Sequence, residues 1–332
     1  MSKDQFTLIL DKREGTNVRG AEVGGAVLRG KPFFKPGSTG LAESIKEVLD
    51  EGLIHVPAYS FVARRAHVGK EDEAWSKYHD TNAERLTVLD EKGIRGPKGT
   101  IYALDIQNGG LFVWNPQRMK DAVERGNLVN YALKLEQGEV NDVLDAMKRN
   151  DTEALKQLVH GGNVAFAGDY DGFVEASNAP DFLQGMETTY LVIRPASEAG
   201  KLYSGRKDIA DQRENPDIVI ASGGKAPAGK MIDQAEGFGW SQFGAWHDDY
   251  KNVNTGRVVC LYGGNNGGVA GNRSMNNGGR PVGVAPEALD AFYKQKDVDP
   301  LSVIVNQAMR TFQPVKVGEG VLLYVPGVAL NQ

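Results

Sequence analysis

The sequence predicts an α+β fold with a mixed or antiparallel sheet, packed helices and long loops rich in Gly and Asn. Strand and helix patterns follow one another without the regular rhythm of a doubly wound parallel sheet. The 332 residues are 41% hydrophobic and 24% charged, which is enough for a substantial globular core. The 41 glycines are densest in the segment 263–279, where two Asn-Asn-Gly-Gly runs predict sharp turns.

The first elements follow from local patterns. Residues 1–40, rich in Gly, Lys and Pro, predict an N-terminal extension or edge segment. Apolar residues at helical spacing predict a helix over 41–51, which ends at Gly52. The run 59–63 predicts a strand, and the charged segment 71–89 predicts a helix. The runs 101–104 and 111–114 predict a hairpin around Asn108-Gly109-Gly110.

The second half continues the mixture. A helical region is predicted over 117–159, with a break at Gly138. Further strands are predicted at 190–193, 218–220, 258–262 and 321–325, and helices that begin with Pro at 286–293 and 300–311. Residues 41–332 then form one α+β domain, with a candidate boundary between two lobes near 196–215.

Composition excludes several classes of protein. The net charge of -5 gives no global attraction to nucleic acid or to an anionic membrane, and no apolar run approaches the length of a membrane span. A single cysteine, Cys260, cannot form an intramolecular disulfide. The start, Met1 to Gln5, lacks the pattern of a secretory signal peptide. These features predict a cytoplasmic protein, or one exported without a cleavable signal peptide into a host cell.

Asp169-Tyr170-Asp171 is the first candidate site. It follows the apolar run 164–167, and side chains two apart in an extended segment lie on one face. Two carboxylates on one face repel each other unless a hard cation such as Mg²⁺ lies between them. The alternative is a turn in which Asp169 and Asp171 are solvated beside Gly168 and Gly172.

Two groups of cations are candidates for phosphate binding. Arg64, Arg65 and Lys70 lie around His67 at the end of a predicted strand, where they could grip a triphosphate or form a solvated edge. Lys98 lies in a glycine-flanked turn before the next strand.

A third candidate site follows Trp246. His247, together with Asn252 and Asn254, supplies donors and acceptors for a metal and a ribose, or else lies in an exposed loop. Residues 224–230 match GxxxxGK, but Met231 stands where a phosphate-binding loop needs Ser or Thr for Mg²⁺.

The segment 166–173, Phe-Ala-Gly-Asp-Tyr-Asp-Gly-Phe, resembles the metal-binding segment of the bacterial nucleotidyl cyclase toxins, the edema factor and ExoY-type group. In that family an Asp-x-Asp is followed closely by Phe, and a site histidine lies at about the interval that separates Asp169 from His247. Lys98-Gly99 and the segment 109–115 resemble the family's Lys-Gly and the strand after it. The Gly-Lys-Ser-Ser segment of the family is absent.

This resemblance implies an Mg²⁺- or Mn²⁺-dependent lyase that converts a nucleoside triphosphate to a cyclic nucleotide and pyrophosphate. Asp169 and Asp171 would hold the metal, and His247 and Lys98 would be catalytic. The substrate would be bound by Arg64, Arg65, Lys70, Asn252 and Asn254. A host activator such as actin or calmodulin is implied by the same resemblance.

Two other functions remain open from the sequence. His160 and Cys260 each follow an apolar run, as in caspase-like cysteine peptidases, although a lone Cys within a strand is more often a core residue. A non-enzymatic structural or binding protein, such as a virion or assembly component, suits the Gly/Asn-rich loops and the extended N-terminus.

Overall fold

The protein is an α+β assembly built around one large mixed sheet. A computed structural model describes residues 7–10, 27–149, 163–179, 182–183, 188–199, 205–247, 252–264, 267–285, 313–317 and 320–324. The predicted α+β class, with a mixed sheet and packed helices, is confirmed. No helix within these ranges combines the length and the apolar character that crossing a membrane requires.

The helices are mostly short and lie between strands. The 3₁₀ turn at Ala210–Glu214 is additional to them. The helices are α1 (Gly40–Asp50), α2 (Ala58–Arg65), α3 (Glu73–Ser76), α4 (Pro116–Glu124), α5 (Gln137–Arg149), α6 (Tyr170–Ala176), α7 (Ala196–Ala199), α8 (Pro216–Ser222) and α9 (Lys225–Gly237).

The large sheet has the strand order β10-β11-β13-β12-β4-β5-β9-β8, and the hairpin β6–β7 joins it at β12. Its strands are β4 (His79–Asp90), β5 (Thr100–Gln107), β6 (Leu128–Val129), β7 (Ala132–Lys134), β8 (Asn163–Asp169), β9 (Thr188–Pro195), β10 (Gly205–Asp208), β11 (Gln242–Trp246), β12 (Thr255–Tyr262) and β13 (Gly268–Ala270). Neighbouring strands are antiparallel except for the parallel pairs β8–β9 and β11–β13.

Two smaller sheets complete the strands. The first has the order β1-β2-β14-β3, and the second is a hairpin of β15 and β16. They comprise β1 (Thr7–Leu10), β2 (Val27–Pro32), β3 (Ile54–His55), β14 (Val282–Val284), β15 (Gln313–Val317) and β16 (Gly320–Tyr324).

The sheet is covered on both faces. Along β9, Tyr190 and Val192 belong to one hydrophobic cluster, and Leu191 and Ile193 belong to another. Because consecutive strand residues point to opposite faces, the two clusters lie on opposite sides of the sheet. The first contains residues of α2, α8 and α9, and the second contains residues of α1, α4 and α5.

Several predicted elements are confirmed and others are wrong. The helix 41–51 and the strands 101–104, 190–193, 258–262 and 321–325 are present. The predicted strands 59–63 and 218–220 are helices, because these short apolar runs are buried in α2 and α8 and periodicity alone cannot distinguish the two states. Residues 111–114 form bends instead of a strand.

The segment 71–89, predicted to be one helix, contains the short helix α3 and then most of the long central strand β4. Its polar residues are buried and paired, so the strand shows no apolar alternation that would have identified it. The region 117–159 contains α4, the β6–β7 hairpin and α5, and its end lies outside the described residues. The helices predicted at 286–293 and 300–311 also lie outside them. The domain boundary near 196–215 stays a prediction.

Candidate functional site: an aromatic platform at the strand ends

A concave surface lies where the beginning of β4 meets the ends of β11 and β12. It encloses a cavity of about 350 Å³ that is lined by Ser76, Lys77, Tyr78, Trp246, Tyr262 and Gly263. Ser76 and Lys77 are exposed, and the other four are half-buried. The three rings of Tyr78, Trp246 and Tyr262 are called the aromatic platform below.

Trp246 lies across two glycines of the sheet. An added Cβ at Gly244 would come within 2.0 Å of the indole, and one at Gly268 within 2.5 Å. Gly244 and Gly268 pair with each other on the parallel strands β11 and β13. Because neither position has a side chain, the indole packs directly on the backbone of both residues.

The two tyrosines stand beside this indole. Tyr262 meets Trp246 edge to face, with ring centroids 5.3 Å apart and an interplanar angle of 85°. The hydroxyl of Tyr78 donates to the carbonyl of Gly278 over 3.5 Å, and the guanidinium of Arg273 lies 5.4 Å from the Tyr78 ring. Burial raises the pKa of both tyrosines, so both phenols are protonated at neutral pH.

A buried arginine fixes the backbone beneath the platform. Arg65 donates from Nε to the carbonyl of Ala74 over 2.7 Å and from Nη2 to the carbonyl of Tyr262 over 2.7 Å. Its guanidinium lies 4.8 Å from the ring of Trp75, whose indole N–H donates back to the carbonyl of Arg65 over 2.9 Å. Arg65 thus ties α3 to the end of β12 and gives the platform a rigid support.

A second buried network holds the other end of the platform. His247 directly follows Trp246, and its Nδ1 lies 2.8 Å from the carboxylate of Asp217 on α8. Asp217 also binds Arg85 and Arg194, and both arginines bind Asp105. Burial alone would raise the pKa of Asp217, but Arg85, Arg194 and His247 hold it well below its ordinary value.

The arrangement has the chemistry of a contact surface. Three rigid rings offer apolar area, while the exposed Ser76 and Lys77 add a hydroxyl and one positive charge. Across the described part of the chain, no group of three or more His, Cys, Asp or Glu side chains is arranged to hold a metal ion.

Asp169 and Asp171 do not lie on one face of a strand. β8 ends at Asp169, which caps α6 by accepting from the N–H of Gly172 over 2.9 Å, and Asp171 lies in the first turn of that helix. Both side chains are exposed. Binding of Mg²⁺ or Mn²⁺ by this pair stays a prediction.

The predicted substrate-binding cations are dispersed. Arg64 forms an ion pair with Asp72, whereas Arg65 is buried in the support described above. Lys70 and Lys98 are exposed in two different turns, before α3 and before β5. Of these four residues, only Arg65 contributes to the platform, through its hydrogen bond to the backbone of Tyr262.

Asn252 and Asn254, predicted to bind substrate, form hydrogen bonds in the segment just before β12. Asn254, with φ 55°, accepts from the N–H of Leu89 over 3.0 Å, and the carbonyl of Asn252 accepts from the hydroxyl of Thr255 over 2.8 Å. His247 is buried and bound to Asp217, so it is not the exposed loop residue of the alternative interpretation.

The buried thiol of Cys260 argues against the peptidase interpretation. Cys260 lies within β12 with no exposed surface, and burial raises its pKa well above the ordinary value. A nucleophilic cysteine needs the thiolate and access to substrate, and Cys260 has neither. His160 lies outside the described residues.

Sequence reasoning missed the platform. Tyr78 lies in a segment whose charges predict a helix, and at 246–247 the histidine, not the indole, is the residue type typical of a catalytic site. Trp246 and Tyr262 each end an apolar run close to glycines, but this local pattern does not show that the two rings meet. β11 and β12 run antiparallel on either side of β13, and the two rings meet because Tyr262 lies level with Gly268, over which the indole of Trp246 packs.

Comparisons with known proteins identify the fold. No protein-family model matches the chain, and no curated protein does. A solved structure from Nanoarchaeota matches with a TM-score of 0.54 and 17% sequence identity, over 77% of this chain and 98% of that one. It is described as "accommodation of massive sequence variation in Nanoarchaeota by the C-type lectin fold". The likeness extends to the fold, so this chain has the C-type lectin fold.

This finding corrects the functional interpretation. The nucleotidyl cyclase interpretation, with its lyase and toxin assignments, is wrong, because the matched fold is the C-type lectin fold. The contacts also speak against the cyclase interpretation, because the residues assigned to its site form hydrogen bonds within the fold instead. They are Arg65, Asp169, His247 and Asn254.

Proposed function

We propose that this chain is a non-enzymatic binding protein that contacts a partner protein through the aromatic platform. The observation that carries the proposal is the seating of Trp246 on Gly244 and Gly268, edge to face with Tyr262. An aromatic ring that is already immobilised loses little conformational entropy when a partner covers it.

The composition of the surface supports a protein partner. Tyr, Trp, Ser and Gly line the cavity, together with Lys77. This is the mixture found in antibody contact loops, where rigid rings supply area and small polar residues supply adaptable hydrogen bonds. Trp and Tyr are also the residues that most often dominate the energy of protein interfaces.

The fold supports the same conclusion. The matched Nanoarchaeota protein is described as a C-type lectin fold that accommodates massive sequence variation. A fold that accommodates sequence variation suits a protein whose task is recognition. In this chain the core beneath the platform is fixed by the contacts of Arg65 and His247.

Selection from a random peptide library tests the proposal. The intact chain serves as bait, and the enriched peptides are then titrated against Trp246→Ala and Tyr262→Ala. We expect each substitution to weaken binding by more than about tenfold, since truncation of a central aromatic costs at least about 2 kcal/mol. Trp114→Ala is the matched control, because Trp114 is a surface indole, 39% exposed, that lies outside the platform. Peptides that bind the wild type and Trp246→Ala equally well would refute the proposal.

A further inference from the structure

The two-residue turn between β6 and β7 adopts an unusual backbone conformation. Val129 pairs with Ala132, so Asn130 and Tyr131 alone form the loop. Both have positive φ, 47° and 63°. Such a turn prefers Asn followed by Gly, because a side chain at the second position is strained in this region. Tyr131 occupies the position at which glycine would be unstrained.

Burial of the ring does not explain this choice. Tyr131 is 55% exposed, more than any other large hydrophobic residue among the described ones. The backbone is held from below, where Arg257 Nη2 donates to the carbonyl of Asn130 over 2.6 Å and the N–H of Met275 donates to the carbonyl of Tyr131 over 2.9 Å. Strain that persists at an exposed residue, in a backbone fixed by its surroundings, is typical of ligand-binding sites.

A cavity opens beside the same ring. It has a volume of about 460 Å³, within the range of small-molecule sites, and is lined by Ser38, Val123, Gly126, Leu128, Asn130, Tyr131 and Asn276. Asn276 is fixed from both sides, since Met275 bonds to Tyr131 and the carbonyl of Asn277 accepts from the N–H of Leu41 over 3.0 Å. The walls of the cavity are thus held in place by backbone hydrogen bonds between three separate segments.

The lining determines the class of ligand. None of the seven residues carries a charge, so an ionic ligand would lose its hydration without gaining a charged partner. The carboxamides of Asn130 and Asn276 each offer a donor next to an acceptor, which matches the edge of an amide-bearing ring or a nucleobase. Tyr131 offers a flat face for stacking.

We propose that this cavity binds a small, uncharged, planar ring compound with an amide-type edge, such as a nucleobase. The ring stacks on Tyr131 while its edge is read by Asn130 and Asn276. The site is separate from the aromatic platform and does not depend on the function proposed for it.

Binding of adenosine and of uridine to the intact chain, measured by saturation-transfer NMR and calorimetry, tests this proposal. At least one nucleoside is expected to bind the wild type. Tyr131→Gly should weaken that binding by more than about tenfold, because the stacking face is lost. The same substitution should raise the melting temperature, because it relieves the strain at φ 63°.

Further variants distinguish the contribution of the Tyr131 ring to binding from the contributions of other residues. Tyr131→Phe should retain binding, Asn276→Ala should weaken it, and Trp246→Ala should leave it unchanged. Methyl glucoside, which is uncharged but not planar, should not compete. The proposal is overturned if neither nucleoside binds at millimolar concentration, if methyl glucoside competes, or if Tyr131→Gly binds a nucleoside as tightly as the wild type.

Discussion

Gly263 allows the end of β12 to pass directly against the chain at Lys77. A Cβ at this position would lie 2.2 Å from the carbonyl oxygen of Lys77 and 2.5 Å from its backbone nitrogen. Backbone atoms cannot move aside as the end of a flexible side chain can. The contact brings Tyr78 and Tyr262 to the same concave surface.

We therefore expect Gly263→Ala to destabilise the protein by about 1–3 kcal/mol, the usual cost of overpacking, and to disturb the aromatic platform. Gly69→Ala is the matched control, because a Cβ there would have no atom within 4 Å. Urea unfolding of both variants measures the difference. Equal stabilities for the two would contradict the close approach at Gly263.

Single residues also show what the sequence could and could not predict about the site. Asp169 and His247 are conspicuous as residue types, yet one caps a helix and the other is buried against Asp217. Trp246 and Tyr262 are informative only once the sheet order places β11, β13 and β12 side by side. Local patterns do not contain that order, so the platform could not be derived from them.

At the scale of elements, a buried charge network holds α8 against the sheet. Arg85 on β4 and Arg194 on β9 each bind both Asp105 of β5 and Asp217 of α8, and none of the four is more than 5% exposed. Buried charges are tolerated only when each one is paired. The helix is therefore positioned by electrostatic contacts in addition to its apolar side chains.

Removing one partner should be costly. Asp217→Ala leaves both arginines with one carboxylate fewer in a dry environment, and we expect a loss of about 3–5 kcal/mol of unfolding free energy. Asp50→Ala removes an acid from an exposed pair with Lys46, whose side chains are 61% and 48% accessible, and should cost less than about 1 kcal/mol. Chemical denaturation of both variants tests the contrast, and similar losses would argue against a network that depends on burial.

The same network explains why element assignment from the sequence succeeded only in part. The strands β5, β9 and β12 have apolar runs and were predicted, as was the amphipathic helix α1. The central strand β4 carries His79, Asp80, Glu84 and Arg85 inside the protein, where each side chain forms at least one hydrogen bond. Their pairing is a tertiary property, so the local pattern of charged residues predicts a helix there instead of a buried strand.

For the whole molecule, the sheet between two hydrophobic clusters places titratable groups in the dry interior. Burial lowers the pKa of His55 to about 4 and that of His79 to about 3. Burial also raises the pKa of Glu84 to about 7, even though its carboxylate accepts from the N–H groups of Leu111, Phe112 and Val113. These shifts make the stability of the fold depend on pH.

The two histidines and Glu84 act in opposite directions. Below about pH 6.5 the unfolded chain binds protons that buried His55 and His79 do not, so each costs up to about 1.4 kcal/mol per pH unit as the pH falls. Glu84 contributes stability below about pH 4.5 that is lost as the pH rises through 7. Two histidines outweigh one glutamate between pH 4.5 and 6.5, so the three groups together favour the folded state most near neutral pH.

His79→Gln tests this balance, because the substitution removes one of the two acid-sensitive groups. His79 is buried, with its ring stacked on Phe61 at 4.7 Å, so some stability will be lost at every pH. The informative quantity is the slope: between pH 6.5 and 4.5 the unfolding free energy of the variant should fall more gently than that of the wild type, by about 1.4 kcal/mol per pH unit. Parallel pH profiles for His79→Gln and the wild type would show that His79 can take up a proton without unfolding, contrary to a dry interior on that side of the sheet.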